Sequence, residues 1–234
     1  MTATEKADTY ANKPWSSQVQ AVDRHLDLGC GTRPRNPYGR SELHGIDVRP
    51  APANVDFQHR VANLVLEPIP YGDNTFGSVS AYDFIEHVPR IWPATDGSGT
   101  MFPFIRLMNE IWRVLIPNGR LYALTPAFPH ADAFMDPTHV NIITDGTHEY
   151  FCGDQPLGRM YGFTGHFRLV RSEWVNIADA YSAIAGSSEN RPRRSGFKRI
   201  ARALRSWSRR LRGKPERETA VYLLWEFEAV KPQA

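Results

Sequence analysis

The sequence predicts an α/β domain whose sheet is mostly parallel and covered on both faces. Short apolar runs that suit strands recur along the chain, and the stretches between them include one with clear helical periodicity. A Gly-x-Gly turn, Gly29–Gly31, directly follows the first run, and the second run places Asp47 near its end. In such sheets ligands sit beyond the carboxyl ends of the parallel strands, so these residues mark a candidate binding site.

Each expected element follows from its own stretch of sequence. The strand candidates, in order, are His25–Leu28, Leu43–Val48, Val55–Gln58, Gly77–Tyr82, Arg120–Thr125, His166–Arg171 and Ala220–Val230. The clearest helix covers Phe102–Ile116, where apolar residues recur at steps of three and four. Pro117 and Gly119 are expected to end this helix.

The composition indicates one domain without a membrane span. Residues 1–20 are expected to be a flexible N-terminal lead-in, and residues 21–234 a single domain with a sizeable core. No apolar run approaches the roughly 20 residues of a membrane helix, and the polar N-terminus lacks a signal peptide. Only Cys30 and Cys152 are present, so no disulfide framework is implied. These features predict a cytoplasmic protein.

The glycine turn predicts a cofactor that contains a nucleoside. Glycine lets the backbone approach a ligand closely, and Asp47 at the tip of the next strand can accept hydrogen bonds from a ribose diol. A nicotinamide dinucleotide site would need a third glycine before a long helix, whereas Pro34 and Pro37 occupy this stretch. S-adenosylmethionine (SAM) carries no pyrophosphate and needs only the close approach and the acid.

Several stretches in order resemble motifs of class I SAM-dependent methyltransferases, of the methyltransferase type 11 kind. They cover roughly residues 22–126 and are Leu26–Gly31, Asn63–Leu64 with Pro70–Phe76, Tyr82–Val88 and Asn109–Leu121. The resemblance implies a doubly wound, mostly parallel seven-stranded sheet with an antiparallel last strand. The alternation of Leu223, Trp225 and Phe227 with more polar residues suits such a strand.

The resemblance also implies the residues that contact SAM: Asp27, Gly29, Gly31, Asp47, Asn63, Leu64 and Asp83. Asn63 stands where the family often has Asp, so the adenine amino group would meet an uncharged amide oxygen. The helix after the first motif is expected to be shortened or replaced by a loop, because Thr32–Leu43 holds two prolines and a glycine.

Histidines and carboxylates are unusually dense between Phe128 and Phe151. When a hydroxyl accepts a methyl group, a base usually removes its proton, and histidine suits that role. We expect His139 to be the general base, oriented by Asp136 or another carboxylate. The alternative is a loop histidine satisfied by a turn carbonyl, with Asp136 starting the turn. His87 is a rival base, although its place after the fourth strand also suits a structural role.

Two further interpretations of this region stay open. Carboxylates and histidines of residues 130–149 could hold Mg²⁺ that binds a sugar diol, although no fixed ligand spacing supports it. Aromatic residues downstream could stack on an acceptor ring or simply pack the core; these are Tyr150, Phe151, Tyr161, Phe163 and Phe167.

Residues 187–218 form a basic amphipathic insertion. Residues 191–217 include 12 Lys or Arg and one Glu, with apolar residues at helical spacing between 197 and 211. The apolar stripe could pack on the domain or on a second subunit, residues 197–211 could contact the inner face of a membrane, or the arginines could bind phosphate. Nucleic acid is not favoured as a partner, because no RNA-binding module accompanies the run. The oligomeric state is left open.

The run Asp136–Asn141 resembles one in a subgroup of these methyltransferases near glycan and natural-product sugar pathways. The sequence therefore predicts O-methylation, from SAM to a hydroxyl of a sugar, glycan or related small molecule. Another small natural product is an alternative acceptor. A nicotinamide-dependent oxidoreductase and a non-catalytic SAM-binding adaptor are the competing classes.

Overall fold

The computed structural model describes residues 22–94, 96–97, 99–176 and 221–232. The predicted N-terminal lead-in and the basic insertion at 187–218, with its expected lipid, phosphate or subunit contacts, lie outside the described residues. No helix in the part of the chain that the structure describes has the length and apolar character needed to cross a bilayer.

One seven-stranded sheet forms the body of the molecule. Its strands are β1 (Arg24–Leu28), β2 (Glu42–Asp47), β3 (Gln58–Val61), β4 (Phe76–Tyr82), β7 (Leu115–Pro126), β8 (Phe167–Val175) and β9 (Tyr222–Ala229), while β5 (Trp92–Pro93) and β6 (Thr100–Met101) form a separate pair. The sheet order is β3-β2-β1-β4-β7-β9-β8. The first five strands in this order pair in parallel, and β9 is antiparallel to both neighbours. This arrangement confirms the predicted fold class.

Burial separates the central strands from the edge. All seven residues of β4 and four of the five residues of β1 are buried, as expected for parallel strands covered on both faces. At the edge, β3 is mostly exposed. Since chain order steps outward from β1 to β2 and then crosses to β4, the gap between β1 and β4 is the switch point where ligands bind in open α/β sheets.

The predicted helix is present as α1, Pro103–Val114, but its expected end is wrong. Leu115 is already extended and pairs with Phe76 at the start of β7, so the sheet ladder ends the helix. Pro117 and Gly119, expected to stop the helix, lie inside β7. Within the described residues α1 is the sole α-helix, and the other helical segments are short 3₁₀ turns.

The third strand also differs from its prediction, since it covers Gln58–Val61 instead of Val55–Gln58. This edge strand buries little apolar surface, so an apolar pattern could not locate it. The expected loop after the first motif is confirmed, because residues 29–41 form turns and irregular chain. Although apolar and polar residues alternate along β9, Glu228 on its polar face is buried and forms ion pairs with Arg120 and Arg168.

Candidate active site

A cleft of about 730 Å³ opens at the carboxyl ends of β1 and β4, within the size range of small-molecule sites. Four of the predicted cofactor residues line it: Asp27, Gly29, Gly31 and Asp83. The lining also includes residues that the sequence did not identify as cofactor contacts, among them Arg33, Arg35, Asp56 and Tyr82. Arg33 and Arg35 could have been found from their place just after the glycine turn, whereas Asp56 precedes an edge strand that was misplaced.

The glycine turn has the backbone geometry that its sequence predicts. Gly29 and Gly31 have φ angles of +70° and +56°, in the left-handed region that glycine adopts without strain. The N–H groups of Gly29 and Cys30 both donate to the Ile46 carbonyl, at 2.9 and 3.1 Å. A Cβ at Gly29 would lie 2.7 Å from Cδ2 of Phe84, so a side chain does not fit there.

Asp47 closes the turn from the end of β2. Its Oδ2 accepts from the Gly31 N–H at 3.0 Å, and its Oδ1 accepts from the Arg49 N–H at 3.0 Å. Burial opposes ionisation, but these hydrogen bonds and the Arg49 guanidinium lower the pKa of Asp47 overall. The carboxylate is therefore charged near neutral pH and retains lone pairs that a ribose diol could use.

Asp27 ends a buried polar chain that starts in the core. His25 lies between two hydroxyls, with Nδ1 2.8 Å from Ser78 Oγ and Nε2 2.8 Å from Ser80 Oγ. Ser80 donates to Asp27 Oδ1 at 2.5 Å, and the Arg35 N–H donates to Oδ2 at 2.7 Å. Burial lowers the pKa of His25 to about 3 and raises the pKa of Asp27 to about 7. Through the hydrogen bond from the Arg35 N–H, Asp27 holds in place the loop that lines the cleft.

The other three expected cofactor residues, Asp47, Asn63 and Leu64, are not part of the cleft lining. Asn63 Oδ1 accepts from the Val65 N–H at 3.1 Å, and Leu64 is 4% exposed and packs in the core. The contact of Asn63 with adenine, and of Leu64 with SAM, stays a prediction.

The structure brings His87 and His139 together. Their ring centroids are 4.8 Å apart, with the ring planes at 74°. His87 follows β4, while His139 lies in the segment after β7. The backbone N–H groups of Val140 and Asn141 both donate to the Glu86 carbonyl at 2.9 Å and hold the two segments side by side.

The hydrogen bonds fix the proton positions on both histidines. His139 Nδ1 lies 3.1 Å from the Ala133 carbonyl, which can only accept, so Nδ1 carries the proton and Nε2 the lone pair. Thr138 Oγ1 donates to Asp136 at 2.7 Å and therefore accepts from His87 Nδ1 at 2.9 Å. His87 Nε2 carries a lone pair for the same reason.

Asp136 has a different partner from the one expected. Its Oδ1 accepts from the hydroxyl and the backbone N–H of Thr138, at 2.7 and 2.8 Å, and these bonds lower its pKa. It orients His87 through Thr138, whereas a turn carbonyl orients His139. A turn carbonyl that binds the histidine, expected as the alternative to a base, is thus compatible with a base, because it leaves Nε2 available.

Glu86 lies beneath the histidine pair and is 1% exposed. Its Oε2 accepts from Thr125 Oγ1 at 2.9 Å, while its buried Oε1 has no partner within the described residues. Burial raises the pKa of Glu86 to about 8. Across residues 22–94, 96–97, 99–176 and 221–232, one group of three or more side chains has the proximity for a metal ion, namely Glu86, His87 and His139. Apart from His139, the predicted 130–149 segment contributes no residue to this group.

A second cavity of about 390 Å³ lies beside the histidine segment and is lined mainly by aromatic and small polar residues. Tyr150 and Tyr161 line it and stack on each other, with centroids 6.3 Å apart. The other three aromatic residues singled out from the sequence, Phe151, Phe163 and Phe167, are fully buried in the core. Phe151 also belongs to the cavity lining but is 1% exposed, so the two tyrosines are the members of that set that offer ring surface to an acceptor.

Comparison with known proteins agrees with this geometry. Residues 26–123 match the family model described as a methyltransferase domain. A search of curated protein sequences gave no match. The matched segment carries the glycine turn and Asp83 of the cleft, so this part of the chain is a methyltransferase domain, and its cofactor is SAM.

Solved structures resemble the chain at the level of the fold. A chain from the complex between the Trm112 methyltransferase activator and a methyltransferase of Haloferax volcanii aligns with a TM-score of 0.50 and 15% identity, over 92% of this chain and 85% of that one. An S-adenosylmethionine-dependent methyltransferase from Mesorhizobium loti aligns with a TM-score of 0.47 and 14% identity, over 88% and 90% of the two chains. A SAM-dependent methyltransferase from Archaeoglobus fulgidus aligns with a TM-score of 0.47 and 15% identity, over 89% of this chain and 86% of that one.

Proposed function

We propose that this enzyme transfers the methyl group of SAM to a hydroxyl of a sugar, glycan or related small molecule, with His139 as the general base. One observation carries the proposal: the Ala133 carbonyl holds the proton of His139 on Nδ1, which leaves Nε2 able to accept another. The partner histidine His87, 4.8 Å away between ring centroids, is held in the same tautomer.

Besides removing the hydroxyl proton, the protein has mainly to align the acceptor with the methyl group. The methyl carbon of SAM is already activated by its positive sulfur, and transfer is an in-line displacement that depends mainly on alignment. SAM held by the glycine turn would supply the methyl group, which would pass from sulfur to the acceptor oxygen, and His139 Nε2 would take up the hydroxyl proton. A general base is expected to contribute about 10²–10⁴-fold to the rate.

The aromatic cavity supports a ring-shaped acceptor with polar substituents. Tyr150 and Tyr161 offer ring faces, and Thr144 and Thr147 lie in the same lining. Arg90 also lines it and is held by Asn141 Oδ1 at 2.8 Å and by the Ile142 carbonyl. A sugar, which presents both carbon–hydrogen faces and hydroxyls, suits such a surface.

The variant His139→Ala tests the base. We expect its affinity for SAM to stay within about twofold of the unmodified enzyme, while kcat falls by about 10²–10⁴-fold. Calorimetry with SAM and transfer of a labelled methyl group to a panel of sugars and nucleotide sugars measure the two quantities. His166→Ala, at a half-buried histidine just before β8, should leave both unchanged.

Full turnover by His139→Ala would remove the proposed base. Labelling of amines or carboxylates instead of hydroxyls, by an otherwise active enzyme, would refute the acceptor class and leave the SAM chemistry intact.

A further inference from the structure

We propose that Glu86, His87 and His139 form a binding site for a divalent transition metal ion of the Zn²⁺ class. A carboxylate oxygen of Glu86 and one ring nitrogen of each histidine lie within 4.8 Å of one another. Two imidazole nitrogens and one carboxylate oxygen are a donor set typical of catalytic zinc sites, which keep a further position open.

The buried carboxylate gives the first independent argument. Glu86 Oε1 is buried and has no hydrogen-bond partner among the described residues, while Oε2 is satisfied by Thr125. If Glu86 is ionised, its charge is unpaired, and if it is protonated with the proton on Oε1, that O–H has no acceptor. Buried polar groups are normally satisfied, so the missing partner points to a ligand that binds there.

The second argument comes from the far side of each imidazole ring. Histidines that bind metals almost always donate their other ring N–H to a carbonyl or a carboxylate, which fixes the tautomer and the ring orientation. His139 donates Nδ1–H to the Ala133 carbonyl, and His87 donates to Thr138, which is itself held by Asp136. Both histidines therefore already have the supporting hydrogen bonds of metal ligands.

The donor set also selects the kind of ion. Mg²⁺ and Ca²⁺ prefer oxygen ligands throughout, whereas imidazole nitrogens favour zinc and its transition-metal neighbours. Ligand atoms of a tetrahedral zinc site are about 3.4 Å apart, so the three side chains would move slightly inward on loading. This site differs from the Mg²⁺ site considered for residues 130–149.

The inference goes beyond the proposed function and does not depend on it for binding. The two proposals share one atom: a metal ion bound to His139 Nε2 would occupy the lone pair that the base uses, so the base role of His139 belongs to the metal-free enzyme. Metal binding is measured without acceptor or SAM, so failure of either proposal leaves the other testable.

The experiment uses the full chain, free of affinity tags and stripped with chelator. Zn²⁺ is titrated by calorimetry, and Co²⁺ by its visible absorption. We expect a single saturating site of micromolar affinity or better, weakened about tenfold or more in His87→Ala, His139→Ala and Glu86→Gln. Thr138→Val removes the hydroxyl that accepts from His87 and donates to Asp136, but the Thr138 carbonyl stays 3.3 Å from His87 Nδ1, so binding should weaken several-fold, less than in the ligand variants. His166→Ala should bind as the unmodified chain does, and excess Mg²⁺ should not displace Zn²⁺.

Unchanged affinity in all three ligand variants, equal competition by Mg²⁺, or no saturation below millimolar Zn²⁺ would overturn the site. If the variants fail to fold, X-ray absorption of the zinc-loaded unmodified chain decides the question. Two imidazole ligands support the site, and fewer than two refute it.

Discussion

At the scale of single residues, backbone conformations at two strand ends shape the cofactor cleft. Gly29 follows β1 with φ of +70°, and Asp83 follows β4 with φ of +48°, a left-handed conformation that is uncommon for a residue with a Cβ. The Asp83 N–H donates to the Leu124 carbonyl at 2.9 Å, which holds this conformation in place. The strained conformation of Asp83 lies in the cleft lining, and strained backbone of this kind is common at ligand sites.

The variant Gly29→Ala tests how closely this turn must approach the ligand. The new methyl group would meet Phe84 Cδ2 at 2.7 Å in addition to the cost of a positive φ. We expect SAM affinity to fall at least tenfold, measured by calorimetry, and the free energy of unfolding to fall by about 1–3 kcal/mol in urea.

Gly97→Ala is the matched control, because Gly97 has a similar φ of +71° and nothing within 4 Å of an added Cβ. The free energy of unfolding of this variant should fall by only about 1 kcal/mol, and its affinity for SAM should not change. Equal losses of stability and of SAM affinity in the two variants would show that neither the Phe84 contact nor the cleft accounts for the effect of Gly29→Ala.

At the scale of elements, β1 and β4 are joined by buried polar side chains in addition to their backbone pairing. His25 of β1 contacts Ser78 and Ser80 of β4, and the chain of hydrogen bonds ends at Asp27. Because Ser80 donates to Asp27, it accepts from His25 Nε2–H, and His25 Nδ1 accepts from Ser78. Every member of this network is satisfied while His25 is neutral.

This network predicts a dependence of stability on pH. The pKa of His25 is about 3 in the folded state, because of burial, against 6.5 for an ordinary histidine. Between these values the unfolded chain binds a proton that the folded chain does not, so this contribution to stability is lost as pH falls from about 6.5. The pKa of Asp27, raised to about 7, acts in the opposite direction over part of that range.

Urea unfolding of the unmodified chain and of His25→Gln, at pH 7 and pH 5, isolates the His25 contribution. We expect the unmodified chain to lose more stability than the variant over this interval, and His166→Gln to behave as the unmodified chain. The same loss in all three proteins would mean that His25 does not control the effect.

The elements also show what the sequence could predict and what it could not. The glycine turn, α1 and six of the strands were located, because buried runs and helical periodicity are local signals. The edge strand β3 was misplaced by three residues, since exposed pairing leaves no apolar pattern. The contact of Glu86 with His87 and His139 joins loops more than 50 residues apart in sequence, so no local signal could reveal that the carboxylate lies beneath the histidine pair.

At the scale of the whole molecule, one hydrogen bond ties the cofactor loop to the far side of the sheet. Tyr38, in the loop of residues 29–41, donates to Glu226 Oε1 of β9 at 2.9 Å across a sequence separation of 188 residues. Its ring also meets Tyr122 of β7 edge-on, with centroids 6.4 Å apart. The irregular loop that replaces the usual helix is therefore held by a tertiary contact.

Tyr38→Phe removes this hydrogen bond and keeps the ring. We expect a loss of about 1–2 kcal/mol in the free energy of unfolding and a several-fold weaker affinity for SAM, because the loop lines the cleft. Tyr71→Phe is the control, since the Tyr71 hydroxyl pairs with His44 Nδ1 at 3.1 Å and Tyr71 does not line the cleft. Weaker SAM binding in the control but not in Tyr38→Phe would contradict this role.

The most direct test is calorimetric titration of the full chain with SAM, S-adenosylhomocysteine and NAD. The geometry of the turn and of Asp47 predicts saturable binding of the first two ligands in the micromolar range, no binding of NAD, and at least tenfold weaker SAM binding in Asp47→Ala. A correctly folded chain that binds neither SAM nor S-adenosylhomocysteine, or that binds NAD in their place, would contradict the account.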